Sequence, residues 1–491
     1  MKNKIYFNKI IALLLLAFAG LFITSCQEEL LDPVPQTAIS DLNAFDTPDR
    51  IKQQVNGLYA TMKVGNFYGG RFLVYQDIRG EEFLNETTNG VTGLQTWNHT
   101  LVASTNEVNN FWNAAYLTIN RANVFLAGVE ANKAILKDDK LAANYLGEAR
   151  LIRAVSYFSL LSLYARPFAD GNGSKLGVPL RITAQTGPGD NDLARATVAQ
   201  VYAQILDDLN FAEQNLPLNY SSAFLNTTRA HRNTAIAFKT RIYLHMGRYA
   251  DVITEANKIV PAAAPFKAAT GVAHELQADI TNVFKTPFTT TESIFSMPFT
   301  ENNLPGTQNG LGSYYNPGPR GIGDFSLNPA GIIGDTINFK STDARRKFIF
   351  RATATAKPYL NKFPLGPQHL DYAPVIRYAE VLLNLSEAIA RTTGIDQRAL
   401  DLLNAVHRRS DPSITFAPAD FADAPALITA ILRERRIELL GEGFRSLDVT
   451  RLLLPIPGKA NVNAINPTQS EYIWPIPTGE LTVNKLVEPN P

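Results

Sequence analysis

The chain has 491 residues, 45% hydrophobic and 19% charged, a balance that packs a core and excludes a disordered chain. Its net charge of +1 falls to −2 once the three lysines of the first 25 residues are set aside, so no basic field awaits phosphates and nucleic acid is excluded as a partner. With a single cysteine, the chain forms no internal disulfide and draws its stability from the core.

The first 25 residues are no part of that core. Lys2, Lys4 and Lys9 make a basic start, 10–23 is an almost unbroken apolar run, and Thr24 and Ser25 place small residues before Cys26. The run is shorter than the about 20 residues that span a bilayer, and it suits the apolar region of a secretory signal. Phe22-Ile23-Thr24-Ser25-Cys26 resembles the lipobox of a bacterial lipoprotein signal, with Phe and Ile where leucine is usual. Lipidation also gives the lone thiol a use, since an exposed unpaired thiol in a secreted chain is a liability. The expectation is a signal over 1–25, a lipid attached to Cys26, and a tether over 26–48.

Further along, the apolar spacing predicts helices over 106–131, 141–164, 197–216, 229–246, 248–260, 375–391 and 395–409. In 141–164, Leu151, Ala154, Phe158 and Leu161 recur three and four apart. Very short connections make antiparallel neighbours of two pairs, through Gly247-Arg248 and through 392–395. The first pair carries a tetratricopeptide-like pattern in Tyr243, Gly247, Tyr249 and Ala256, loosely repeated in Ala388, Gly394, Ala399 and Leu403. The predicted fold is mainly α: tetratricopeptide-like helix pairs forming a scaffold, with binding left to long loop-rich insertions. Two irregular stretches qualify. The first, 64–101, holds Phe67, Tyr68, Tyr75, Trp97 and Asn98; the second, 298–335, holds eight glycines, five prolines and Tyr314-Tyr315.

Several segments resemble a known family. Leu30-Leu31-Asp32-Pro33 with Asn56-Gly57-Leu58-Tyr59 is similar to its opening, and Glu148-Ala149-Arg150-Leu151-Ile152-Arg153-Ala154 to its central helix. Ile376-Arg377-Tyr378-Ala379-Glu380, Glu387-Ala388, Glu434-Arg435-Arg436-Ile437-Glu438, Glu442-Gly443-Phe444-Arg445 and Asp448 follow in the family's order. The chain resembles the SusD/RagB lipoproteins of Bacteroidetes from the anchor to the last residue. It departs from them at Arg451-Leu452-Leu453, where Arg-Trp-Gly is common, and at Ser410-Asp411-Pro412. The resemblance divides the chain into 49–227 and a C-terminal region over 228–491, packed as one body.

That resemblance implies a surface lipoprotein, anchored in the outer membrane and facing the cell exterior. It would hold an oligosaccharide or peptide as the partner of a SusC-like TonB-dependent transporter, with no cofactor and no catalysis. Sugars stack C–H faces on aromatic rings and bind hydroxyls through amides and carboxylates. Tyr68, Trp97, Asn98, Tyr314, Tyr315, Arg320 and Asp324 offer that mixture from the two irregular stretches. Each has a plainer reading: Trp97 and Tyr68 can pack into the body, and Arg320 can pair with Asp324 across a turn, whereas Tyr314-Tyr315, between glycine and proline, is expected to be exposed.

Two other classes compete. A surface glycoside hydrolase needs two carboxylates about 5–10 Å apart, and Asp77, Glu81 and Glu82 are acids on a stretch expected to be exposed. Glu438 and Glu442 are one turn apart, but Arg433, Arg435, Arg436 and Arg445 interleave them, the pattern of a structural ion-pair network. A helical-repeat interaction scaffold is the second alternative, although a scaffold has no need of a tyrosine-rich, glycine-flanked platform. The six histidines (99, 231, 245, 274, 369 and 407) lack ligand spacing, no metal is expected, and neither a phosphate loop nor a Gly-x-Ser-x-Gly elbow is present.

Overall fold

A computed structural model describes residues 43–187, 189 and 191–490. The signal, Cys26 and the tether before residue 43 lie outside the described residues.

The helices form one row. Pro48–Met62 packs on Asn106–Leu136, which packs on Asp139–Tyr164, then Val198–Asn215, Arg232–His245 and Tyr249–Ala256. Tyr378–Thr393 continues the row and carries Gln397–Ser410 and Ala424–Glu438. Local chemistry fixes the ends. Asp138 caps its helix by accepting from Leu141 N, and Thr197 and Gln200 form a reciprocal capping box. The turns between pairs need a left-handed residue: Gly247 has φ +68° and Gly394 φ +89°.

Most predicted helices stand within a few residues of the expected bounds. Two differ. The helix after Gly247 stops at Ala256 rather than 260, and the apolar run expected to begin a helix at 375 is instead the end of a strand. Residues 373–377 are all buried, and a fully apolar run has no period by which strand and helix can be told apart.

The stretch between Ala256 and Tyr378 is inserted between neighbouring helices of the row and contributes most of the strands. The strands are β1 Phe83–Asn85, β2 Leu176–Pro179, β3 Arg195–Thr197, β4 Ser293–Met297, β5 Phe325–Leu327, β6 Ile349–Arg351, β7 Pro358–Leu360 and β8 Ala373–Arg377. They pair only as antiparallel ribbons: β1 with β5, β2 with β3, β4 with β8 and β6 with β7. Both stretches read as irregular therefore contain regular structure. Arg71–Ile78, β1 and Leu94–Asn98 lie in the first; Leu311–Tyr315 and β5 lie in the second.

A buried ion network ties the insertion to the C-terminal helix. Arg377, 1% exposed, donates to Glu292, Glu438 and Glu442; Arg409 bridges Glu292 and Glu438; Arg345 reaches Asp343, Glu434 and Glu438. Lys362 Nζ donates to Glu442 Oε1 at 2.7 Å, Leu440 O at 2.9 Å and Glu438 O at 3.0 Å. Burial alone would raise Glu438, but Arg409, Arg377 and Arg345 hold it well below the usual carboxylate range; arginine partners lower Glu434 and Glu442 likewise. A second buried set joins Glu387 to Arg451, Arg451 to Asp448, and Asp448 to Arg435. The charges interleaved along 434–442 are thus structural pairs.

Candidate functional site

Four of the seven residues singled out from the sequence, Trp97, Tyr314, Tyr315 and Asp324, converge around the β1–β5 ribbon, but they lie beneath the surface. Trp97 is 6% exposed, and its indole Nε1 donates to Phe83 O at 2.8 Å, pinning β1 from below. Tyr315 is fully buried, its ring 5.0 Å from Phe83 and 6.2 Å from Phe363. Tyr314 stacks on Phe325 at 6.4 Å and accepts from Arg71 Nε while donating to Gln308 O. The backbone of Asp324 accepts from Glu86 N at 2.8 Å, and burial pushes its carboxyl up to about 6, partly offset by Thr92 and Thr87.

The expected exposure of Tyr314-Tyr315 is therefore corrected. Ile322 N and Gly323 N both donate to Ser313 O, folding the loop back over the short helix. Gly321 permits it, because a Cβ there would stand 2.3 Å from Asn316 O. The glycines expected to display the tyrosines instead close the chain upon them. Arg320 and Asp324 do not pair: Arg320 Nη1 reaches Asn361 Oδ1 at 2.9 Å, whereas Asp324 is turned inward. Tyr68 is also core, packed with Phe67 and Phe72, accepting from Ser159 Oγ, and pushed up to about 12 by burial. Asn98 is half-buried at the end of its helix, away from the face described next.

Above this floor is a mixed polar and aromatic face that sequence reasoning missed apart from Arg320. Strand alternation places Lys357, Tyr359 and Asn361 on one side of β7 and its extension, and the register sets Phe350 of β6 opposite Tyr359. The two rings lie 6.0 Å apart, and the Arg320 guanidinium covers the half-exposed Phe350 at 4.8 Å. β5 adjoins β7 and brings Ser326, whose Oγ donates to Glu86 Oε1 at 2.5 Å; Glu86 Oε2 accepts from Lys357, and this bond raises the Lys357 ammonium. Arg320 bonds to an amide and a ring rather than to a carboxylate. The result is a guanidinium, an amide, a carboxylate, an ammonium and the half-exposed ring of Phe350 on one surface, with Tyr359, 5% exposed, backing it. The available signal was the spacing of Lys357, Tyr359 and Asn361 at i, i+2 and i+4, obscured by Pro358 and by the short strand.

The acids weighed for catalysis are otherwise engaged. Asp77 and Glu82 are buried, against expectation. Asp77 accepts from Gly443 N at 2.9 Å, and burial pushes it up to about 7. Glu81 is paired with Arg436 and Arg445, and Glu82 with Arg436. His231 and His274 stack in the core and His407 bonds to Glu434; no group of metal-ligating side chains stands together among the described residues.

A row of helix pairs, with its longest insertion folded into a polar, aromatic face over a sealed floor, defines a helical-repeat binding protein. Comparison with known proteins makes this specific. Residues 29–244 match the family model described as "Starch-binding associating with outer membrane", and 366–491 match that of the SusD family. A SusD superfamily protein of solved structure from Bacteroides fragilis is 31% identical, with a TM-score of 0.80 over 90% of this chain and 99% of that one. SusD-like protein P2 of Formosa agariphila is 24% identical over 94% of this chain and 95% of its own length. The surface glycan-binding protein A of Bacteroides thetaiotaomicron, solved with laminarihexaose, shares the fold at 18% identity and a TM-score of 0.72, covering 90% of this chain and 99% of that one. The chain belongs to the SusD family.

Proposed function

We propose that this protein is a non-catalytic cell-surface lipoprotein that captures an oligosaccharide and passes it to a SusC-like TonB-dependent outer-membrane transporter. The observation that carries the reading is the Arg320–Phe350–Tyr359–Asn361 face. A flat ring for C–H stacking stands beside amide, guanidinium and carboxylate groups for hydroxyls, which is the chemistry a glycan requires. The laminarihexaose held by the fold relative from B. thetaiotaomicron supports the same class of cargo. The lipobox resemblance supports attachment through Cys26, and the family model's description supports association with the outer membrane. Among the described residues no helix is long and apolar enough to cross a membrane. Weak contacts suffice, because tethering beside the transporter supplies a high effective concentration.

The test is a binding screen of the mature chain, with Cys26 replaced, against soluble glycans including laminarihexaose and against a peptide panel, with reducing-sugar release followed throughout. Glycan binding without product, weakened in Phe350→Ala, is the expected result. Product formation would make the protein a hydrolase, binding of peptides alone would change the cargo class, and binding of nothing would favour the scaffold reading.

A further inference from the structure

A second concavity lies on the helical side of the molecule, remote in sequence from the inserted face. It holds about 250 Å³ between Asn106–Leu136, the C-terminal helix Thr478–Val483 and the chain around residue 181. Its lining repeats the chemistry of the first face with different residues. The half-buried ring of Tyr116 lines the concavity, backed at 4.8 Å by the indole of Trp112, which is only 2% exposed. The phenol of Tyr116 donates to Pro179 O at 2.7 Å, which fixes that ring in place.

The polar groups complete the set. Glu480 receives Asn484 Nδ2 at 2.7 Å and Arg181 Nη2 at 3.4 Å on Oε1, while Oε2 faces only the long bond of 3.3 Å from Trp112 Nε1. A carboxylate oxygen so loosely engaged retains acceptor capacity, and a guanidinium using one nitrogen retains donors. The side chains of Arg181 and Glu480 are 18% and 12% exposed, so they are largely withdrawn from bulk water yet remain accessible. Asn113 and Gln185, both exposed, add amides at the mouth. Because the cation and the anion are paired with each other, the site has no net demand for a charged ligand.

We propose that this pocket binds a single neutral, polyhydroxylated ring, a hexose or a terminal hexosyl unit, as a site separate from the Arg320–Phe350 face. Its size sets the class. Pockets for drug-sized ligands run from roughly 300 to 1,000 Å³, so this one has room for a single ring, with any further units left outside it. The site stands on its own residues and does not depend on the reading of the inserted face.

The test uses 5-fluorotryptophan-labelled mature protein and 19F NMR, with the Trp112 resonance assigned through Trp112→Phe among the three tryptophans of the chain. The probes are methyl glycosides of glucose, galactose and mannose. Saturable movement of the Trp112 resonance by at least one glycoside, with Trp97 and Trp474 unmoved, is expected. Asn113→Ala and Gln185→Ala, both at exposed positions, should each weaken that binding roughly five- to tenfold, and Phe350→Ala should leave it unchanged. Absence of a saturable Trp112 shift for all three probes would overturn the proposal, as would a shift indifferent to both amide variants. A shift lost in Phe350→Ala would also overturn it, by assigning the sugar to the other face.

Discussion

Arg377 and Glu442 are joined by two parallel charge-assisted hydrogen bonds, Nε to Oε2 at 2.6 Å and Nη2 to Oε1 at 2.8 Å, with both side chains at most 2% exposed. The pair connects the last residue of β8 to the turn after helix Ala424–Glu438, and Arg377 also serves Glu292 and Glu438. Arg377→Ala leaves those carboxylates buried without their shared cation. The expected cost is about 3–5 kcal/mol, read as a lower urea midpoint at unchanged slope; a loss below about 1 kcal/mol would show the network to be redundant.

The pH dependence of stability follows from opposite shifts. Glu434, Glu438 and Glu442 are held below their ordinary range, so their contribution is full above about 4.5 and is lost as pH falls through their lowered folded values. Asp77 is raised to about 7 and Asp371 to about 8, in each case first by burial. For these the unfolded chain loses its proton first, so stability declines as pH rises from about 4 to the folded value and then levels. The net profile also carries His99, His231, His245 and His274, which burial holds neutral and which add stability as pH rises to about 6.5, so the aspartate contribution is read as the difference between the parent and a variant. Asp77→Asn should flatten the neutral limb and stabilise the protein at pH 8 by about 1 kcal/mol or more. A parent-minus-variant difference in stability that does not fall between about pH 4 and 7 would contradict the Asp77 assignment.

Trp97 divides a floor residue from a ligand contact. Trp97→Phe removes the donor to Phe83 O and should cost about 1–3 kcal/mol, with near-native glycan affinity once folded. A tenfold loss of affinity without loss of stability would return Trp97 to the binding surface.

On the inserted face the pattern reverses. Phe350→Ala and Arg320→Ala remove a half-exposed ring and the cation that covers it, and each should weaken glycan binding by about tenfold while the melting temperature stays within about 2 °C of the parent. Calorimetric titration beside a thermal melt reads both.

Gly443 has φ +83°, and a Cβ there would stand 2.7 Å from Leu73 Cα. Gly443→Ala is expected to destabilise by about 1–3 kcal/mol or more from the backbone alone, checked by denaturant titration. It should also disturb the amide that Asp77 accepts.

The helical row was legible because an apolar stripe of period 3.6 is written locally: Leu151, Ala154, Phe158 and Leu161 are buried as the spacing requires. The family segments were legible too, and the structure gives them a physical meaning, since Arg377, Glu387, Glu434, Glu438, Glu442 and Asp448 are all network members. The candidate face was not. Aromatic residues in a glycine-rich loop announce an unusual backbone, but whether it opens or closes depends on contacts between distant segments, such as Gly321 against Asn316 and Phe83 against Tyr315. Phe350 and Asn361 are brought together by the β6–β7 pairing, but Arg320, which covers one and bonds to the other, is about 30–40 residues upstream, and no local period encodes that.

The clamp on Lys362 has a kinetic consequence. Asn361 lies on the proposed binding face, while the very next side chain is buried and held by three oxygens at the end of helix Ala424–Glu438 and in its turn. The backbone that offers the amide therefore has no loose conformations to give up on encounter. Docking needs no rearrangement of this strand, so little ordering entropy opposes it. Capture at this strand should proceed as a single second-order step, its observed rate linear in glycan concentration, with release set by how quickly a few weak contacts part.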